Sequence, residues 1–188
     1  MSELSYSRKR VSPIIASVVG ALLVAFLWVL VTAEPNTADD ADSPLLGQPA
    51  PSVVSTTLDD EEFVLANRKG SWVIFNFFNS TCVPCIAEHP ELVAFNEREL
   101  QATNPAEIYT VINDDNDASV RAFFAKNGGD WQKVRDTDGA ISVAFGVAKV
   151  PETWVIDPNG YVRLRIAGML TPGLLDDQLA QLKAQFGS

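Results

Sequence analysis

Two cysteines separated by two residues are the most reactive feature of this sequence. Cys82 and Cys85 stand in the stretch FNSTCVPCIAEHPEL and are the only cysteines of the chain. The same stretch holds its only histidine, His89. Thiols at this spacing can form a redox-active disulfide, bind a metal ion, or form a structural disulfide that stabilises the fold. The elements that position the two sulfurs decide among these uses.

The residues on either side of the cysteines predict a buried strand followed by a helix. Residues 72–78, WVIFNFF, form a short and nearly continuous apolar run, which is typical of a strand buried on both faces. Three polar residues follow at positions 79–81, and each is of a type that can cap a helix. Apolar residues at helical spacing then predict a helix over residues 82–101, with a kink at Pro90.

The rest of the domain alternates strands and helices. In chain order the pattern predicts a strand, a helix ended by two glycines, a hairpin, and a closing helix with Pro172 in its first turn: residues 107–113, 117–129, 150–157 with 161–168, and 171–186. This order indicates an α/β fold with a mixed central sheet and helices on both faces. It predicts a thioredoxin-like arrangement over residues 46–188.

Four kinds of site compete for the CxxC pair. A structural disulfide would close a very short loop, so its entropic gain would be among the smallest available. A closed zinc site needs four ligands, and only His89 remains among histidines and cysteines, although a dimeric or copper site stays open. Peroxidatic cysteines of the peroxiredoxin type follow a hydroxyl residue, and Asn79 takes that place here. A redox dithiol is favoured, because a CxxC that opens a helix after a buried strand is the usual setting of that chemistry.

Helix position predicts different tasks for the two thiols. Cys82 lies nearer the loop and the positive end of the helix, so it should be the attacking thiolate. Cys85, one turn into the helix, should be the buried resolving thiol, whose raised pKa requires a proton acceptor. Glu88 is three residues further on the same helix face and is the candidate base, with an ordinary exposed carboxylate as the alternative. His89 is expected to be a surface histidine or one with its hydrogen bonds satisfied.

An apolar segment without charge precedes the domain. Residues 14–33 contain no charged residue, and a helix of that length rises about 30 Å, the thickness of a bilayer's hydrocarbon core. We expect a transmembrane signal-anchor helix, with the basic residues 1–13 in the cytoplasm and the catalytic domain on the extracytoplasmic side. A small-residue sequence before Glu34 resembles a signal-peptide cleavage site, so a cleaved leader is the alternative. The apolar core of a signal peptide is usually only about 7–15 residues long, which favours the anchor.

Acidic residues dominate the rest of the chain. The protein has 24 Asp and Glu residues against 14 Lys and Arg residues, a net charge of −10. Residues 1–33 carry a net +2, which leaves −12 for residues 34–188. This charge argues against a nucleic-acid partner. Residues 34–45 are acidic, contain proline and lack apolar periodicity, which predicts a flexible linker.

The sequence resembles the membrane-anchored thioredoxin-like proteins of cytochrome c maturation, the CcmG/DsbE and TlpA/ResA group. The match begins at LLGQPAPSV, includes CVPCIAEHP, and continues through FGVAKVPETWVIDPNGYVRLRIAGMLTP to the last helix. It covers about 140 residues, within the error of pattern-based boundaries. The resemblance implies that Cys82 and Cys85 are the nucleophilic and resolving thiols and that Glu88 is the active-site acid.

The resemblance also implies a substrate-binding loop. Pro151 would be a cis-proline packed against the CxxC, with Glu152 beside it, and the backbone of Val150 would pair with an extended substrate. Thr81 stands where the family usually has tryptophan, and the dipeptide between the cysteines differs from that of some members. Both departures bear on the reduction potential, which the CxxC dipeptide helps to set.

The function implied by the resemblance is that of an extracytoplasmic thiol:disulfide oxidoreductase. It would keep the haem-binding cysteines of apocytochrome c reduced and would itself be reduced by a membrane electron-donor protein. We expect a membrane-anchored monomer that needs no metal, nucleotide or flavin cofactor. One alternative is the same exchange chemistry on other exported proteins. Another is a module that holds apocytochrome or copper through its dithiol without turnover.

Overall fold

The computed structural model describes residues 13–32, 39–40 and 42–187. The chain divides into two compact units, Met1–Pro35 and Asn36–Ser188. The described part of the first unit is one helix, α1, at Pro13–Thr32. Across the described residues, no helix combines the length and the apolarity needed to cross a membrane. The signal anchor stays a prediction, and the predicted cytoplasmic segment 1–13 lies outside the described residues except for its last residue.

The second unit contains all the described strands. In chain order these are β1 (Asp39–Asp40), β2 (Val54–Thr56), β3 (Glu62–Val64), β4 (Val73–Phe78), β5 (Glu107–Ile112), β6 (Gln132–Arg135), β7 (Glu152–Ile156) and β8 (Val162–Ala167). Six of them form a mixed sheet in the order β1-β8-β7-β4-β5-β6, while β2 and β3 form a separate hairpin. The central strand β4 is parallel to β5 and antiparallel to β7. The mixed α/β sheet expected from the sequence is therefore confirmed.

Four α-helices and one short 3-10 helix (Leu65–Arg68) belong to the same unit. The α-helices are α2 (Val83–Glu99), α3 (Asp117–Asn127), α4 (Ala140–Phe145) and α5 (Leu174–Phe186). The predicted helices correspond to α2, α3 and α5, whereas α4 and the strands β1, β2, β3 and β6 were not predicted. Pro172 is not in the first turn of α5 as predicted, because Gly173, with φ of 77°, forms the N-cap. A left-handed φ is closed to proline, so the chain turns at the glycine before the helix begins.

Part of the predicted linker, residues 34–45, is in contact with the sheet. Strand β1 pairs antiparallel with β8. Leu45 packs against a buried cluster that includes Val53 and Val162. Residues 34–38 and 41 lie outside the described residues.

The central strand β4 divides the core into two faces. All six of its residues are buried, and side chains alternate between the faces of a sheet. Phe75 and Phe77 belong to one buried cluster, whereas Ile74 and Phe78 belong to the other, which also includes Cys85 of α2. Asn76 therefore points toward the face on which α2 packs.

Candidate active site

A disulfide joins Cys82 and Cys85 at the start of α2. Cys82 is the N-cap, and its Sγ accepts a 3.2 Å hydrogen bond from the backbone N–H of Cys85. The sequence placed the cap among residues 79–81, but the cysteine itself takes that position. Pro84 lies in the first turn and has no N–H of its own. The backbone donor and the positive end of the helix dipole both favour a thiolate at Cys82 once the disulfide opens.

The two sulfurs differ in access to solvent. Cys82 is partly exposed, whereas Cys85 is fully buried in the cluster that contains Phe78 and Leu92. Val83, between the cysteines, is 75% exposed. The predicted difference in exposure is confirmed, and only Cys82 can be reached by a protein substrate in this arrangement.

The loop ahead of Cys82 is held by the side chain of Asn79. Its Nδ2 donates to the carbonyl oxygens of Asn113 at 3.0 Å and Asp114 at 2.7 Å. Its Oδ1 accepts from both the backbone N–H and the hydroxyl of Thr81, at 2.8 and 2.7 Å. The Thr81 hydroxyl is thus committed to Asn79. The amide that replaces the hydroxyl of peroxiredoxin-type sites serves to fix the loop.

The loop at Val150 and Pro151 packs against the disulfide. The Val150–Pro151 peptide bond is cis, as predicted. The Val150 carbonyl oxygen lies 3.6 Å from the Sγ of Cys82. At this distance it can accept a hydrogen bond from the thiol of the reduced protein. The disulfide sulfur carries no hydrogen and cannot donate one. Within the described residues, neither the N–H nor the carbonyl of Val150 has a backbone partner. This backbone is available to an extended peptide.

Glu88 lies in the protein interior one turn of α2 beyond Cys85. It is only 1% exposed, so the alternative of an exposed helix carboxylate is wrong. Its Oε1 accepts from Asn76 Nδ2 and its Oε2 accepts from the backbone N–H of Leu170, each at 2.8 Å. Burial raises the pKa of Glu88 to about 7, against the opposing effect of these two hydrogen bonds. The side chain is therefore poised to gain or lose a proton near neutral pH.

Asn76 connects Glu88 to the strand that follows the cis-proline. It donates to Glu88 and, at 3.1 Å, to the Oγ1 of Thr153 on β7. It is 1% exposed, and its Oδ1 has no hydrogen-bond partner in the described part of the chain. The sequence interpretation treated Asn76 as part of an apolar strand. The available signal was a single amide within a run of residues otherwise suited to a core.

Glu152 is placed differently from the other predicted site residues. Its carboxylate forms a two-point ion pair with Arg165, Nε to Oε1 and Nη2 to Oε2, both at 2.9 Å. The indole N–H of Trp154 also donates to Oε1, at 2.7 Å. Alternation along β7 places this side chain on the face opposite to Thr153. The structure thus brings Cys82, Cys85, Val150 and Pro151 together, but it does not direct the carboxylate of Glu152 to the disulfide.

His89 is a buried side chain with a satisfied hydrogen bond. It is 2% exposed, and its Nε2 donates to the carbonyl oxygen of Gly128 at 3.0 Å. Its ring packs against Phe123, Phe124 and Trp131. Burial lowers the pKa of His89. Over the described residues, no group of three or more His, Cys, Asp or Glu side chains is arranged to hold a metal ion.

Comparison with known proteins agrees with this geometry. The sequence model of the AhpC/TSA family matches residues 46–165. The thiol:disulfide interchange protein HelX of Rhodobacter capsulatus is 32% identical over 80% of this chain and 82% of its own length. The thiol:disulfide interchange protein DsbE of Pseudomonas aeruginosa is 28% identical over 89% of this chain and 88% of its own. The resemblance to the DsbE group is thereby confirmed.

A solved structure shows the same fold. It is that of a thiol:disulfide interchange protein of the thioredoxin family from Chlorobium tepidum, with a TM-score of 0.64 and 24% identity. The match covers 75% of this chain and 98% of that one. The thioredoxin-like fold predicted from the sequence is confirmed.

Proposed function

The chain belongs to the AhpC/TSA family and is a thiol:disulfide oxidoreductase, and we propose that it reduces disulfides in exported proteins, with apocytochrome c as its main substrate. The observation that carries the proposal is the asymmetry of the CxxC. One sulfur is accessible beside an unpaired backbone segment, and the other is buried one helical turn before a buried carboxyl group whose pKa is raised to about 7. This is the arrangement that a two-step exchange requires.

The proposed reaction begins from the reduced dithiol. The Cys82 thiolate attacks one sulfur of the substrate disulfide, and the other substrate sulfur leaves as a thiolate that takes a proton from water. Cys85 then loses its proton to Glu88 and attacks the Sγ of Cys82, which releases the second substrate thiolate. Two electrons pass to the substrate, and the Cys82–Cys85 disulfide remains. A membrane electron-donor protein then returns two electrons and restores the dithiol.

The loop of Val150 and Pro151 is proposed to hold the substrate. An extended segment carrying the disulfide would pair with the free N–H and carbonyl of Val150 in β-strand fashion. The 3.6 Å distance between the Val150 carbonyl oxygen and the Cys82 Sγ supports this placement, because a segment paired there lies beside the attacking sulfur. Glu152 contributes through its backbone and through the ion pair that fixes β7 to β8.

We further propose that the catalytic domain is a monomer, outside the cytoplasm and tethered by the uncharged segment of residues 14–33. The support is the uncharged run over residues 14–33 and the basic residues before it. A protease-protection assay on spheroplasts tests this placement. Protection of the domain from external protease in spheroplasts would contradict it, and a shortened released species would indicate cleavage instead of an anchor.

Trapping with single-cysteine variants tests the reaction. Cys85→Ser should accumulate mixed disulfides with substrate, because attack remains possible while resolution is lost, and Cys82→Ser should trap little. The intact protein should reduce insulin catalytically when supplied with dithiothreitol. Stoichiometric capture without turnover would favour a holding module, and trapping mainly by Cys82→Ser would show that the order of the two thiols is wrong.

The reduction potential tests the direction of electron flow. A reductant should have a potential near or below about −270 mV, the value typical of thioredoxin, whereas about −120 mV is typical of a strong oxidant. Equilibration with glutathione or dithiothreitol buffers, followed by alkylation of free thiols, measures it. A value near the oxidant end would contradict the proposed reduction of apocytochrome c while leaving the exchange chemistry intact.

A further inference from the structure

The hydrogen bonds around Glu88 favour one of its two oxygens as the site of the proton. Oε2 faces the backbone N–H of Leu170, a donor that cannot become an acceptor. In a carboxylic acid the oxygen without the proton is the stronger acceptor, so the acid form keeps its bond to Leu170 best when the proton is on Oε1. Oε1 faces the side-chain amide of Asn76. This amide carries a donor, Nδ2, at one end and an acceptor, Oδ1, at the other.

We propose that Asn76 is a positioning residue whose side-chain amide flips each time Glu88 gains or loses its proton. The flip exchanges the positions of Nδ2 and Oδ1. With Glu88 ionised, Nδ2 donates to Oε1, as the structure shows. With Glu88 protonated, the turned amide presents Oδ1 to the Oε1–H. The inference rests on the proposed role of Glu88 as the acceptor of the Cys85 proton, and it identifies the group that accommodates that proton.

Two features of the surroundings fit this exchange. The Oδ1 of Asn76 has no hydrogen-bond partner among the described residues, so turning the amide breaks no bond at that end. The other neighbour of Nδ2 is the hydroxyl of Thr153, which can either accept or donate. Thr153 can therefore pair with the amide in both orientations. A leucine or a second carboxylate at position 76 could not do so.

The hydrogen-bond partners of Glu88 are neutral. They are the amide of Asn76 on β4 and the backbone N–H of Leu170 after β8, and Cys85 lies one turn earlier on the same helix. In the described part of the chain, no charged side chain contributes to the raised pKa of Glu88, which is caused by burial. In the oxidised protein neither sulfur titrates, so the proton equilibrium of Glu88 can be observed on its own.

Nuclear magnetic resonance on the full-length oxidised chain in detergent tests the proposal. Glutamate labelled with ¹³C at Cδ and asparagine labelled with ¹⁵N at Nδ2 report the two groups, and Glu88→Gln and Asn76→Leu assign their signals. Between pH 5 and 9 the Asn76 amide signals should move with the same midpoint as the Glu88 carbon. Their nuclear Overhauser contacts to the Thr153 methyl group should change with them.

Substitutions separate positioning from simple support of the fold. Glu88→Gln imitates the protonated acid, so its Asn76 amide should hold the low-pH signals at every pH. Asn76→Leu removes a donor to the carboxylate and should raise the Glu88 midpoint by about one pH unit, a tenfold change in the acid constant. Thr110→Val is the matched control, because Thr110 is a fully buried neighbour of Asn76 in the sheet and its hydroxyl bonds to Trp131 instead. Its Glu88 midpoint should not move.

The proposal is overturned if the Asn76 amide stays unchanged while the Glu88 carbon titrates. It is also overturned if Glu88→Gln shows the high-pH contacts of the wild-type amide. The titration uses no substrate, so its failure is distinct from a failure of the proposed oxidoreductase reaction, which the trapping of mixed disulfides decides.

Discussion

Glu88 and Glu152 are both 1% exposed, but the fold compensates their charges in different ways. Glu152 faces a guanidinium at two points and an indole N–H, so its charge is paired within the interior. Glu88 accepts hydrogen bonds only from neutral donors among the described residues, and burial raises its pKa to about 7. A buried carboxylate with a counter-charge is a fixed structural ion. One without a counter-charge can exchange a proton at neutral pH, as proton transfer from a thiol requires.

The largest expected effect is a loss of stability when Glu152 is replaced. Glu152→Ala leaves the guanidinium of Arg165, whose side chain is only 19% exposed, without its carboxylate partner, which should lower the free energy of unfolding by about 3–5 kcal/mol. Urea denaturation at pH 7 measures this loss. Replacing both Glu152 and Arg165 by methionine should recover most of it, because no uncompensated charge remains. A loss below about 1 kcal/mol for Glu152→Ala would mean that the ion pair is not the structural feature described here.

The second prediction concerns stability and pH at Glu88. The carboxyl titrates near 4.5 in an unfolded chain and near 7 in the folded one, so the folded state binds the proton more tightly. Its contribution to stability is fully present below pH 4.5 and is lost as pH rises through 7, a change of about 3 kcal/mol. The measurement is the difference in unfolding free energy between the oxidised wild type and Glu88→Gln from pH 4 to 8. A difference that does not vary with pH would remove the contrast with Glu152.

Turnover should respond to Glu88 by a smaller factor. Glu88→Gln keeps the shape of the side chain but removes its basic oxygen, so insulin reduction at pH 7 should slow by about ten- to a hundredfold. Glu91→Gln is the matched control, since Glu91 lies one turn further along α2 and bonds to Arg98 and to the backbone of Gly173. It should retain nearly full activity. Equal losses in both variants would indicate a general effect of charge on α2.

The smallest effect is expected at Thr81, where the family usually has tryptophan. Its hydroxyl bonds to Asn79, so Thr81→Val should not alter the donors to the Cys82 sulfur. The reduction potential should change by no more than about 10 mV, well under the 30 mV that corresponds to 1.4 kcal/mol. Equilibration with redox buffers measures it. A shift above 30 mV would show that a residue outside α2 also sets the reduction potential of the dithiol.

The contrast between the two acids also shows which features of the site could be predicted from the sequence. The apolar run of β4 and the helical spacing after it predicted where Cys82, Cys85 and Glu88 lie, because these are local patterns. The partner of Glu88 at Leu170 is 82 residues away, and no local pattern reveals such a contact. The ion pair between Glu152 and Arg165 depends on the register in which β7 pairs with β8, although the hairpin itself was predicted.

Other elements were missed for equally physical reasons. Strand β6 has four residues, and helix α4 has only six, too few for a periodic pattern to emerge. Asn76 was overlooked because its role depends on groups from α2 and β7 that meet only in the folded chain.

The pH dependence of the resolving step tests the central claim most directly. A stopped-flow experiment can follow the release of substrate from a preformed mixed disulfide on Cys82, from pH 5 to 9, in the wild type and in Glu88→Gln. If Glu88 accepts the Cys85 proton, the wild-type rate should rise through a midpoint near 7, where the carboxyl group ionises. The Glu88→Gln profile should be shifted to higher pH, because Cys85 must then lose its proton unaided. Two superimposable profiles would contradict the account and would make Glu88, like Glu152, a structural acid.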